Sequence, residues 1–239
     1  MNERQWEQVG AAAGIGAVAL LLASVFIAPI PPHIDASTTK ILTYYADHRT
    51  ALLNGVMLNG LSVILFLWFL GHLRHVLQRA EGGVEALSPI VFAAGATTAA
   101  LAFVLILPQA TLAFASDTVE ISGSPAVIRV LYDLNNLGGA TIMLSAGLFV
   151  AATALAMVLK ELVSPVLGWL GLAVAAVLVA DGIAGFYNST YSSTWTALSY
   201  GGLVAFAAFI LAASVGMLAS PEASRQEDTR LARGPILTR

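Results

Sequence analysis

Apolar residues run in long blocks along this chain, and polar positions gather between them. Six blocks stand out, at approximately residues 9–30, 50–73, 88–113, 125–158, 165–188 and 194–219. Each reaches or exceeds the roughly 20 residues an α-helix needs to cross a hydrocarbon core about 30 Å thick. Lipid offers no water to satisfy a free backbone, and a helix pairs its own N–H and C=O groups, so blocks of this kind become helices. Three of them open on a serine followed by a proline: Ser88-Pro89, Ser124-Pro125 and Ser164-Pro165. A serine oxygen can cap the free N–H groups of a first turn, and proline, which lacks an N–H, suits the first helical position. The pattern predicts an all-α polytopic bundle of six transmembrane helices spanning residues 1–219.

Between the first two blocks the sequence reads PIPPHIDASTTKILTYYADHRT, and Pro29, Pro31 and Pro32 stop the first helix there. Asp35 or Ser37 can then cap a short amphipathic helix running to about residue 47, with Ile41, Leu42 and Tyr45 on its apolar side. Such a helix lies flat at the membrane interface. It would hold Asp47, His48 and Arg49 at the mouth of the second span, with Asp47 capping that span and Arg49 balancing the acids below.

Composition agrees with the pattern. Charged residues make up 10% of the chain and the mean hydropathy is +0.82, too little polar surface to coat a soluble globule, where about a quarter of residues are charged. Lys and Arg divide eight against three if both termini are cytoplasmic, with Lys40, Arg49 and Arg129 outside, which predicts that orientation in a bacterial plasma membrane. Residues 220–239 have mixed charge and little apolar periodicity and read as a disordered cytoplasmic tail. The absence of cysteine excludes disulfides, thiolate nucleophiles, Fe–S clusters and thioether-linked haem. A net charge of -3 without a basic patch gives no footprint for nucleic acid.

The informative polar residues fall toward the outer ends of the spans. Counted at about 1.5 Å per residue, Asp133 and Asp181 both lie roughly 10 Å below the outer boundary. Asn54, Asn59, Gln109, Asn135, Asn136, Ser199 and Tyr200 share that half. Arg129, Asp133 and Asn136 follow an i, i+4, i+7 spacing and so share one helical stripe. A carboxylate at such depth is costly unless protonated, paired or hydrated. These positions predict an outward polar pocket walled by Asp133, Asn136, Asp181, Asn54 and Tyr200, with Asp47, His48, Arg49 and Arg129 at its rim. Two alternatives stand beside it: Arg129 and Asp133 form a structural ion pair, and Asp181 is a protonated acid bonded to an Asn or Tyr on another helix. His33, Asp35 and His48 are candidate metal ligands by residue type, at a spacing that matches no ligand motif. His72 and His75, beside Arg74 and Arg79, read as an edge facing anionic headgroups.

The segments YYADHRTALL, FLWFLGHLRHVL, SPIVFAAG and VLGWLGLAVAAVLV together resemble a group of actinobacterial multi-pass membrane proteins known as a domain of unknown function. The likeness covers roughly residues 10–219. It implies a six-helix bundle in a bacterial plasma membrane and a shared Asp-His-Arg turn, here Asp47, His48 and Arg49, and it carries no activity with it.

Three functions compete. The pocket binds a small polar or cationic ligand or a lipid headgroup, as a binding protein or a transporter or channel component, because paired acids in a low-dielectric wall attract positive charge. The chain is instead a structural subunit of a homo-oligomer or a larger membrane complex, its many glycines allowing close helix contacts. Or it is a metal-dependent intramembrane enzyme acting on lipid, through His33, His48 and aspartates. LYDL and VADG resemble intramembrane aspartyl proteases only in placing paired acids on consecutive spans, and the G-x-G-D and P-A-L elements of that family are missing.

Overall fold

A computed structural model describes residues 3–81, 86–116, 124–160, 165–188 and 190–219. Among them run seven helices: α1 (Glu3–Ile27), α2 (Thr38–Asp47), α3 (Arg49–Glu81), α4 (Ser88–Ala115), α5 (Pro125–Lys160), α6 (Pro165–Tyr187) and α7 (Ser193–Ala219). All except α2 are long and apolar enough to cross a membrane. The protein is therefore an all-α, six-span integral membrane protein with one short helix after the first span, as the pattern of apolar blocks predicts. The tail after Ala219 lies outside the described residues.

The spanning helices pack in a closed ring: α1 on α3, α3 on α4, α4 on α5, α5 on α6, α6 on α7, and α7 back on α1. Apolar side chains gain little by leaving lipid for each other, so close packing has to hold such a ring together. Glycines let the backbones approach. A Cβ at Gly168 of α6 would stand 2.9 Å from the Ala154 carbonyl oxygen of α5, and one at Gly182 would stand 2.9 Å from the Ala140 oxygen. On α1, Gly10 makes room for His72 and Gly14 for Phe69 and Ser214. His72 is thus packed against α1 rather than presented at a headgroup edge. The centre of the ring is plugged by Phe66, Phe149 and Phe206, whose ring centroids lie 5.5–6.3 Å apart.

Helix α2 begins where the sequence predicts, with the Ser37 oxygen accepting from the Lys40 N–H at 3.3 Å. Its apolar side faces protein: Ile41 and Tyr45 are buried with Leu52, Leu112, Ala113, Ile128 and Tyr132, at the ends of α3, α4 and α5. The helix therefore caps the bundle, and the end it covers is opposite the one where α1 begins.

One predicted cap is replaced. Ser88 opens α4 without a side-chain cap from its N-cap residue. Instead the Glu81 carboxylate reaches across from the end of α3, accepting from the Leu87 N–H at 2.6 Å and the Ser88 hydroxyl at 2.7 Å. A full negative charge is the stronger acceptor at the positive end of a helix dipole. Ser164 lies outside the described residues.

Candidate functional site

The ten residues between α1 and α2, Ala28 to Ser37, form a strap across the capped end. Its prolines carry no N–H, so it cannot coil onto either helix, and its carbonyls are taken by side chains from elsewhere. Tyr44 of α2 donates to the Pro29 oxygen at 2.5 Å, Tyr132 of α5 donates to the Pro32 oxygen, and Arg129 donates from Nη1 to the Ala36 oxygen at 3.2 Å. The strap also grips the α6–α7 connection: His33 stacks on Tyr191 at 3.6 Å, and the Asp35 carboxylate accepts from the Tyr191 N–H at 3.4 Å. Burial, with Tyr132 and Tyr200 as neighbours, pushes the Tyr44 hydroxyl up to about 12. The Tyr45 hydroxyl is raised by the same cause, with Tyr132 and Tyr44 beside it.

Beneath the strap lies a cavity of about 810 Å³. Its walls come from α1, α3, α4, α5 and α7, and α6 takes no part. Phe66 and Phe206 of the central plug line its inner end, while Pro29, Ile30 and Pro31 of the strap line the other. At the rim, Phe26 and Ile30 are each 84% exposed and Tyr200 is 42% exposed, so the space opens where α1 and the strap face α7. Among the described residues, no charged side chain lines it.

The few polar groups in the wall divide into two kinds. Ser62 donates across to the Ala17 oxygen of α1 at 2.7 Å, Ser24 donates to Leu21, and Thr98 bonds both the Ala94 carbonyl and Ser145 of α5. Those hydroxyls are satisfied within the protein. Asn59 and Gln109 also line the cavity, as does Tyr200 at the rim, and among the described residues none of these three side chains has a hydrogen-bonding protein partner. Asn59 and Gln109 are both half-buried, their amides facing the cavity space, and an amide shut away from water there without a partner costs about 1–3 kcal/mol. Some other group is expected to meet these two.

Of the residues predicted to wall or rim a polar pocket, the structure brings only Tyr200 to this cavity. Asn54 is exposed on the outside of the ring. Arg129 and Asp133 pair at 2.9 Å on the capped end, 35% and 39% exposed, and the Asn136 amide donates back to the Tyr132 carbonyl at 2.8 Å. Asp181 is buried, at 6% exposure, between α6 and α7, where the Ser199 hydroxyl donates to it at 2.6 Å. The two acids are not level. Gly182, next to Asp181, packs on Ala140 and Leu144, which lie seven or more residues beyond Asp133, about 10 Å or more along α5. Counting depth from Pro125 misleads because α5, at 36 residues, is about 54 Å long and overshoots a core of about 30 Å.

The Asp-His-Arg turn is used for architecture. Asp47 ends α2 and is exposed, with no cap contact to α3 among the described residues. The His48 Nδ1 lies 2.9 Å from the Tyr44 carbonyl, a bond that places the proton on Nδ1. Arg49 donates from Nε to the Ala113 carbonyl at 3.2 Å and lays its guanidinium over Phe114, tying the start of α3 to the end of α4. Among the described residues, no three His, Asp or Glu side chains stand close enough to hold a metal ion, and His33, Asp35 and His48 are spread between Tyr191 and Tyr44.

Asn59 and Gln109 are visible in the sequence as polar residues within spans, and a stripe argument picks out the first. Gly55, Asn59, Ser62 and Phe66 fall at i, i+4, i+7 and i+11, one face of α3, and all four line the cavity. Asn54, a single residue away, is turned off that face by about 100°.

No protein-family model matches the chain, no curated protein is similar to it, and no solved structure matches its fold. The site's own chemistry therefore carries the functional reading.

Proposed function

We propose that this membrane protein binds a lipid-like amphiphile in the cavity beneath the strap. The observation that carries the reading is the cavity itself: about 810 Å³ of apolar space, open at its rim, with two unpartnered amides in its wall. That volume falls within the range of about 300–1,000 Å³ typical of small-molecule sites, which are likewise mostly apolar with a few convergent polar groups. Of the two ligand classes the sequence raises, polar or cationic molecules and lipids, an uncharged apolar wall favours the lipid. Binding, rather than lipid chemistry, is the activity proposed, since the cavity wall presents amides and hydroxyls but no acid, base or metal-ligand set. The orientation with both termini cytoplasmic, and the resemblance to actinobacterial multi-pass proteins, belong to the same proposal and make the strap an extracytoplasmic cover.

Gly139 supplies the test. It lines the cavity, and a Cβ built there meets nothing within 4 Å, so a Gly139→Phe side chain enters the space without displacing the ring. Gently purified wild type should carry a co-purifying amphiphile detectable by native mass spectrometry, and Gly139→Phe should lose it. A wild type that carries none after reconstitution in cell-derived lipid, or a variant that retains it, removes the reading.

A further inference from the structure

Resting on the amphiphile reading of this cavity, we propose that the molecule it takes has an electrically neutral head, bearing a carbonyl, hydroxyl or amide, which Asn59 and Gln109 hold inside the wall. The two amides stand on adjoining helices near one level. A Cβ at Gly60 would lie 3.5 Å from Ile106 Cδ1, so on these antiparallel helices Asn59 and Gln109 both lie toward the capped end from that contact and differ by only about 3 Å along it, roughly half a helical turn. The same level on α5 is marked by Gly138, where a Cβ would meet Leu105, and its neighbour Gly139 presents no side chain to the cavity. The missing side chain leaves space at the level of both amides.

A carboxamide offers N–H donors and a carbonyl acceptor but no charge. It can complete the hydrogen bonds of a neutral oxygen- or nitrogen-bearing head and cannot neutralise an ion. An ionic head in this wall would be buried among apolar groups without a counter-ion, which is strongly disfavoured. Among the described residues no charged side chain lines the cavity, and several toward the capped end are engaged elsewhere. Arg129 and Asp133 pair with each other on the capped end, the Arg49 guanidinium sits over Phe114, and Asp181 is held by Ser199 between two other helices. The lining hydroxyls of Ser24, Ser62 and Thr98 already have partners, which leaves the two amides within the wall and the Tyr200 hydroxyl at the rim as the recognition groups, and the apolar remainder of the cavity for the ligand's body.

Three probes sharing one alkyl chain separate the possibilities: hexadecanol, hexadecanoate and hexadecyltrimethylammonium. Binding of radiolabelled hexadecanol to the detergent-solubilised full chain is measured by scintillation proximity, with each probe as unlabelled competitor. Hexadecanol should compete at least about tenfold better than either ion, and Asn59→Leu or Gln109→Leu should weaken it by up to about tenfold, the worth of one good hydrogen bond. Neither substitution should improve or worsen competition by the ions. Gln109→Leu serves should Asn59→Leu fail to fold. Equal competition by all three probes, or preference for an ion, overturns the neutral head while leaving the cavity as a binding site. Absence of saturable binding, or saturable binding undiminished in Gly139→Phe, overturns both.

Discussion

Two glycines on this ring should respond to the same substitution with opposite sign. At Gly139 of α5 an added Cβ meets open space, whereas at Gly168 of α6 it stands 2.9 Å from the Ala154 carbonyl oxygen and 3.1 Å from the Val158 nitrogen. Glycine within a helix costs about 0.5–1 kcal/mol relative to alanine, through backbone entropy. Gly139→Leu recovers that amount and inserts its side chain into a cavity of about 810 Å³ without forcing any neighbour aside. In a chain of 239 residues, about 1 kcal/mol moves the midpoint by roughly 2–4 °C, so the ligand-free variant should melt about 1–4 °C above wild type. Gly168→Leu must part α5 from α6 against backbone atoms that cannot rotate away. Overpacking of this sort costs about 1–3 kcal/mol, or a fall of roughly 2–12 °C. Tryptophan fluorescence follows both melts. Lipid should first be stripped from all three proteins, because a bound ligand stabilises wild type by mass action and would mask the gain at Gly139. A Gly139→Leu protein that melts as low as Gly168→Leu would mean that position 139 packs on a neighbour, and the reasoning that the ring is open there would be refuted.

The strap should loosen when its tyrosine anchors go: with two side-chain hydrogen bonds lost at about 0.5–1.5 kcal/mol each, Tyr44→Phe/Tyr132→Phe should become cleavable by protease between residues 29 and 36 at concentrations that spare wild type. Alkaline pH should act through Tyr44 and its neighbour Tyr45. Their folded pKa values lie above the ordinary 10.0, about 12 for Tyr44, so the folded state holds protons that the unfolded state gives up. Stability is thus fully present below pH 10 and falls as pH rises through about 12, and Tyr45→Phe should flatten the decline in a series of melts. In Ser199→Ala the buried Asp181 loses its hydrogen-bond donor, at a cost of about 1–3 kcal/mol. Asp181→Asn, which needs no charge buried, should restore the midpoint in the double variant, and a Ser199→Ala melt equal to wild type would contradict the bond.

The sequence by itself determined how many spanning helices there are and most of their ends, although α1 starts six residues before its apolar block and α3 runs eight residues beyond its own. An apolar block of spanning length has one way to satisfy its backbone in lipid, and prolines at 29, 31 and 32 forbid the first helix from continuing into the strap. Ser37 capped α2 as its residue type requires, because a cap involves only atoms within one turn. Contacts between distant residues were decided elsewhere. Whether Glu81 or Ser88 caps α4 depends on how α3 ends in space, and whether Asp133 and Asp181 share a level depends on where α5 and α6 touch, which glycines at 147, 168 and 182 fix. Polar residues draw attention in a membrane sequence, yet Arg129, Asp133 and Arg49 satisfy one another or nearby carbonyls on the capped end. The cavity escaped notice because it is made of apolar residues, indistinguishable in sequence from those that face lipid. Only the closing of the ring, α7 against α1, decides which apolar stripe looks outward and which encloses space.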